Sequence, residues 1–275
     1  MNEKVAVIIP CYKVKNKVVD VINTIPSYIE HIIAVDDKCP EQSGDAVSML
    51  GNKKVVVIRH EENMGVGGSM ISGYRKALEL GSDIIVKMDG DGQMDPKYLP
   101  DLIEPLLNNE ADYTKGNRFM DFAALKNMPG IRLLGNSVLS FLVKIASGYW
   151  NVIDPTNGYT GIHKRALQKV GLDKLSKNYF FESDMLINLN IINAVVKDVP
   201  MPARYGDETS SMRISRIITQ FPIKLFKGLA KRIFYKYFIY DFNMASVYML
   251  LGIPMFLFGV LFGIWEWLDS VINGT

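Results

Sequence analysis

The chain has only two cysteines, Cys11 and Cys39, in different segments and without CxxC or any other metal-ligand spacing. That excludes a disulfide-stapled fold and a cysteine-based zinc site, and reads as reduced thiols in a cytosolic compartment. No charge of one sign dominates: 31 Lys and Arg face 29 Asp and Glu, which gives no support to a nucleic-acid partner. No GxGxxG follows the first apolar run, where Pro10-Cys11-Tyr12 stands instead, and no GxxxxGK occurs anywhere. A Rossmann dehydrogenase and a P-loop enzyme are therefore unsupported. His60 and His163 have no metal-ligand partner spacing and receive no role. The opening MNEKVAVIIPCY carries an acid and an apolar run too short for a secretory leader, so the catalytic part is expected to stay where it is made.

Two further absences concern the C-terminal part. From Arg213 to Lys236 there are seven basic residues and no acidic one, which suits an anionic surface. Ile214, Ile217, Ile218, Phe221, Leu225, Leu229 and Ile233 recur there at helical spacing. Two short amphipathic helices lying on a membrane surface, broken at Pro222, are expected over 212–241. From Phe242 to Trp265 there are 24 residues without a charge, against the ~20 needed to cross a hydrocarbon core. A transmembrane helix is expected over 242–268, with Trp265 and Trp267 at the far interface and 269–275 as a tail. The basic stretch before it should be cytoplasmic, giving a cell-membrane protein whose catalytic domain, 1–211, faces the cytoplasm. A single span often gains from partners, so homo-oligomerisation is open.

What the front of the chain does have is a rhythm. With 275 residues and 48% hydrophobic content, there is material for one large domain and an appendage. Apolar runs at Val5–Ile9, Ile32–Val35, Val55–Ile58, Ile84–Val86 and Ala111–Thr114 alternate with helix-like stretches at Asn16–Ile25, Gln42–Leu50, Gly68–Leu80 and Pro96–Leu107. This pattern predicts an α/β fold with a mostly parallel sheet and helices on both faces. Ligands of such sheets bind beyond the carboxyl ends of the strands. Here those ends carry Pro10-Cys11-Tyr12, Asp36-Asp37, His60 to Gly68, and Asp89-Gly90-Asp91-Gly92-Gln93. Asp89 and Asp91 alternate by one residue, so both carboxylates can address one hard cation while the glycines let the chain bend. A Mg²⁺ or Mn²⁺ held there could bridge to a diphosphate.

In order, VAVIIPCY, VDD, ENMGVGGSM, DGDGQMDP, GNRF and DPTNGYTGIHKRAL resemble the GT-A type, family-two inverting glycosyltransferases. The similarity is greatest to the branch that loads sugars onto polyisoprenyl phosphates, the dolichol-phosphate mannosyltransferase-like enzymes, and it covers roughly Val5 to Arg213. The resemblance implies a nucleotide sugar held by Pro10, Tyr12 and Asp37, with Asp36 supporting that pocket and Asn63 and Gly68 in the loop near the donor. It implies a metal and diphosphate motif of Asp89, Asp91 and Gln93. Arg118 and Arg132 match positions that face phosphate, and Thr156, Asn157 and Gly158 fall in the acceptor-side loop. RYGDETSSMR, 204–213, loosely resembles a further phosphate-binding element of the branch.

The chemistry leaves the acceptor open at this point. A polyprenyl phosphate is already largely dianionic at neutral pH, with a second pKa of about 6, and needs positioning more than deprotonation. A saccharide hydroxyl would need a carboxylate base, for which Asp184 or Glu182 of FFESD is available. A non-catalytic binder of nucleotide sugar is the alternative of another class.

Overall fold

Each apolar run of the front half becomes a strand: β1 Val5–Cys11, β2 His31–Asp36, β3 Val55–Arg59, β4 Ile84–Lys87 and β5 Tyr113–Asn117. The computed structural model describes residues 3–120, 130–202 and 214–274. Between the strands run α1 Lys15–Thr24, α2 Ser43–Ser48, α3 Gly65–Glu79 and α4 Leu99–Leu107. Beyond β5 come α5 Gly130–Ser147, β6 Thr160–His163, α6 Lys164–Leu167, α7 Phe181–Ile191 and β7 Val196–Pro200.

The seven strands form one sheet in the order β3-β2-β1-β4-β6-β5-β7. All neighbours are parallel except β6, which runs antiparallel to both β4 and β5. The alternation of strand side chains divides the core in two. Ala6, Ile8, Ile33, Val35, Ile85 and Tyr113 join the cluster that includes α3 and α7 residues. Val5, Val7, Ile9, Ile32, Ala34, Ile84 and Val86 join the other, with Leu99, Leu102 and Leu106 of α4. The same alternation puts Lys87 on the face of Ile85 and Lys115 on the face of Tyr113, so two cations enter the α7 side of the core.

The chain divides into two compact units, Met1–Leu229 and Ala230–Thr275. The boundary expected at 211 lies outside the described residues. The expectation of two helices broken at Pro222 is corrected: one helix, α8 Ile214–Phe234, runs straight through that residue. A proline inside a helix costs ~3 kcal/mol or more, but it stands next to Phe221, one of three residues packed on the α7 core. Leu225 is buried there, with Phe221 and Leu229 partly buried beside it, and burying one such side chain contributes about 1.5–3 kcal/mol. Phe221 also meets Phe180 edge to face at 5.4 Å. The Phe221–Leu225–Leu229 stripe therefore packs on the core of the first unit, and Ile223 and Phe226 are exposed apolar residues of this part of the helix.

The second unit holds a π-helical turn, Tyr235–Tyr240, and α9 Met244–Asn273. Asn243 caps α9 by accepting from Ala245 N–H, and Ser246 reciprocates toward Asn243 N–H. The 30-residue α9 has a mean hydropathy of 2.3 over its most apolar window and is long and apolar enough to cross a membrane. It runs further than the expected 242–268, taking in most of the segment read as a tail, and stops at Gly274, whose φ of 69° suits glycine.

Candidate active site

The first two strand tips are built around carboxylates. Asp36 accepts from Cys39 N–H at 2.7 Å and Gly44 N–H at 2.6 Å, closing the turn into α2. Asp37, almost fully buried, accepts from Met64 N–H and Gly65 N–H at 2.8 Å each and lies 2.8 Å from His60 Nδ1. His60 reaches Ser72 Oγ with its other nitrogen, and Asn63 donates to the Asp37 carbonyl. Asp37 thus ties the β2, β3 and α3 segments into one unit. Pro10 pairs with Val35 of β2, Cys11 ends the pairing against Asp36, and Tyr12, two residues after Pro10, is exposed.

The glycine run after β3 serves packing. A Cβ on Gly67 would lie 2.8 Å from the Lys177 carbonyl carbon, and Gly68 donates its N–H to Lys177 O at 3.0 Å. Gly68, expected beside the donor, is instead buried where α3 meets the segment before α7. We expect Gly67→Ala to lower stability by about 1–3 kcal/mol, readable as a reduced midpoint of thermal unfolding.

After β4 the chain turns sharply. Gly92 takes φ 80°, a conformation that favours glycine, and Gln93 N–H donates to Asp91 Oδ1 at 2.9 Å. Asp89, Asp91, Gln93, Arg118, Thr156 and Asn157 are among the residues lining one cavity of about 140 Å³. Arg118 is held from behind by Asp154, which has no exposed surface: Nε lies 2.7 Å from Oδ2 and Nη2 lies 3.1 Å from Oδ1. This bidentate pairing fixes the guanidinium plane. Asn157 is occupied with the fold, donating to Gly116 O at 2.8 Å and accepting from Tyr159 N–H at 3.0 Å. Thr156 is exposed.

Among the described residues, no three His, Cys, Asp or Glu groups stand close enough to hold a metal together. The oxygen donors of Asp89, Asp91 and Gln93 suit a hard divalent cation that takes its remaining ligands from substrate phosphates and water, which is the usual manner of Mg²⁺.

Two buried lysines lie beneath this cavity. Lys87, 2% exposed, places Nζ 2.9 Å from Asp89 Oδ1 and 3.4 Å from Glu182 Oε1. Burial alone would push its pKa down, but Asp89 and Glu182 outweigh it and hold Lys87 charged, with its pKa raised. Lys115 is enclosed completely and donates to the Asn157 carbonyl. Burial pulls its pKa down to about 8, against the opposing pull of Glu182, Asp154 and Asp198. The unfolded chain, with a lysine pKa of 10.5, binds more protons between these values, so this group makes stability rise with pH from about 8 to 10.5. The burial-raised Cys11 thiol acts the other way at high pH, so the comparison to make is with Lys115→Met, in which Cys11 is unchanged. Relative to that variant, wild type should gain stability across the window, by about 3 kcal/mol in all; a constant difference between the two would refute the lowered pKa of Lys115.

Asp184, a candidate base, does not line the cavity: it accepts from Ser176 N–H at 2.8 Å and Asn188 Nδ2 at 3.0 Å. Glu182 is paired with Lys87 beneath it. The side chain of Arg132 and the whole of 204–213 lie outside the described residues; the Arg132 backbone belongs to α5. Lys87, Lys115 and Asp154 went unnoticed in the sequence. The available signal for the lysines was their place in the short strand segments IIVK and YTKGN, at positions where strand alternation puts them on the face of Ile85 and Tyr113.

The family described as Glycosyl transferase family 2 matches residues 6–171, more than half of the chain. The chain belongs to glycosyl transferase family 2. A relative within reach of this family-two transferase is the UDP-N-acetylglucosamine–dolichyl-phosphate N-acetylglucosaminyltransferase of Methanococcus voltae, 32% identical over 237 residues, 81% of this chain and 94% of that protein. Another is the undecaprenyl-phosphate mannosyltransferase of Micrococcus luteus, 31% identical over 62% of this chain and 70% of its own length. Among solved structures, glucosyl-3-phosphoglycerate synthase of Mycobacterium tuberculosis, crystallised with Mn²⁺, UDP-glucose and phosphoglyceric acid, superposes with a TM-score of 0.63. It is 17% identical and the match covers 84% of this chain and 80% of that one. The fold of this family-two glycosyltransferase is accordingly GT-A, followed by the apolar helix α9.

Proposed function

We propose that the enzyme transfers a hexose from a UDP- or GDP-sugar to polyprenyl phosphate, with inversion, at the cytoplasmic face of the cell membrane. The observation that carries this reading is the cavity itself, lined both by the Asp89-Asp91-Gln93 turn and by Arg118 in its Asp154 clamp. The relatives that act on dolichyl and undecaprenyl phosphates support the acceptor class. Pro10, Tyr12 and Asp37 would hold the nucleoside, with Asp36 and Asn63 keeping that loop in shape. Asp89, Asp91 and Gln93 would hold Mg²⁺ or Mn²⁺ with the diphosphate; such an ion supplies positive charge where the leaving group develops negative charge.

An acceptor phosphate oxygen attacks the anomeric carbon, and the carbon–oxygen bond to the nucleoside diphosphate breaks with its electron pair leaving on that oxygen. A dianionic phosphate has no proton to lose in this step, so no base is required. Arg118 would orient that phosphate through its fixed fork, with Arg132 and Thr156 as further candidates. The engagement of Glu182 with Lys87, and of Asp184 with Ser176 and Asn188, favours this acceptor over a saccharide hydroxyl.

The test is transfer of radiolabelled sugar from a panel of UDP- and GDP-sugars to polyprenyl phosphate, with Mg²⁺, with Mn²⁺ and with EDTA. Labelled lipid that vanishes with EDTA is the expected result. Donor consumption with unlabelled lipid would turn the assignment to a hydroxyl acceptor.

A further inference from the structure

We propose that an exposed apolar patch beside the cavity, made of Val138, Phe141 and Leu142 of α5 with Trp150 and Ile153 of the following segment, binds the first isoprene units of the acceptor lipid. The inference rests on the lipid-phosphate reading above and gives the tail a path away from Arg118.

The patch lies on the first unit. Phe141 is 54% and Trp150 60% exposed, and their rings meet edge to face at 6.0 Å. Val138 stands one helical turn before Phe141 and Leu142, so the three share a face. A cluster of large uncharged side chains turned outward marks a surface that meets something apolar.

What identifies the occupant is continuity with the cavity. The chain from 149 to 153 climbs along β7: Tyr149 donates its hydroxyl to Ala194 O, Asn151 Nδ2 donates to Val196 O, and Ile153 N–H donates to Asp198 Oδ2. The next residue is Asp154, which clamps Arg118, and Met201 and Pro202, just beyond β7, line the cavity. From Trp150 to Asp154 is four residues, a reach of ~14 Å at most. An isoprenoid whose phosphate sits at Arg118 thus meets Ile153 first and the Trp150–Phe141 pair next. A saccharide acceptor would have no use for this surface.

The experiment measures KM values for undecaprenyl phosphate, geranyl phosphate and the nucleotide sugar, using the full chain in detergent. The variants are Phe141→Ser with Trp150→Ser, Ile153→Ser alone, and Trp150→Phe. The serine variants should raise KM for undecaprenyl phosphate about tenfold in the double case and leave the nucleotide-sugar KM at its wild-type value. Geranyl phosphate should be affected less, and Trp150→Phe should restore binding. An undecaprenyl phosphate KM unchanged in all variants, or moving only in parallel with the donor KM, overturns the proposal. So does loss of vesicle binding with unchanged KM, which would assign the patch to the bilayer. A wild-type enzyme that labels neither lipid phosphate while consuming donor would overturn the acceptor reading, and this subsite with it.

Discussion

Asp91→Asn is expected to lower kcat for sugar transfer by on the order of 10²–10³ while the folded protein keeps its thermal midpoint. The turn explains why the two effects separate. Asp91 Oδ1 accepts from Gln93 N–H, and an asparagine carbonyl accepts that bond equally well, so the backbone around Gly92 need not move. What the amide removes is the negative charge that would face a divalent cation across the cavity. Titration of Mg²⁺ or Mn²⁺ against rate should show a requirement raised well above wild type. Retained activity at wild-type metal concentration would remove Asp91 from the metal motif.

The second large effect is on stability. Lys87→Met should destabilise the catalytic unit by about 3–5 kcal/mol, the usual cost of breaking a buried ion pair by deleting one partner. Glu182 is left with its charge in the core, and Asp89 loses the ammonium 2.9 Å away. Adding Glu182→Gln to Lys87→Met should recover part of the loss, because the remaining buried charge is then gone. If the effects of Lys87→Met and of Glu182→Gln measured alone simply add in the double variant, the pair is not coupled. The mutant cycle, read by chemical unfolding, decides this without reference to catalysis.

These two residues differ sharply in how visible they were. Asp91 announces itself: acids and glycines at a strand end have few structural uses in combination. Lys87, two residues earlier than Asp89, hides in an apolar strand, because one of the two carboxylates that hold it there, Glu182, is ninety-five positions away. The parallel half of the sheet was legible because β1 to β4 are bounded apolar runs, with β1, β2 and β4 almost wholly buried and β3 partly buried at the edge. β6 and β7 were not: TGIH is four residues long, and VKDVP carries two charges and a proline at the sheet edge. Their places are set by pairing with β4 and β5, which local composition does not encode.

Pro222 was read by local rule and Gly68 of NMGVGGSM by resemblance, and long-range packing fixes the surroundings of both. A proline signals a helix break until Phe221, Leu225 and Leu229 all face the core. A glycine run signals ligand approach until the 176–178 backbone is found pressed against it. Asp154, with no exposed surface, opens the DPTNGYTGIHKRAL stretch, but its pairing with Arg118, 36 positions away, is not encoded locally.

The sheet order also sets a timetable for synthesis. The first 87 residues contain all of β3-β2-β1-β4, a contiguous parallel set whose pairings need nothing further. β5 has no such partner on emergence, since its neighbours β6 and β7 end at His163 and Pro200. At roughly 5–20 residues per second on the ribosome, the strand bearing Lys115 waits several seconds before the partners that enclose it exist. The half built on β1 to β4 can therefore take shape during translation, whereas the half carrying Arg118 closes only after β7 has left the ribosome.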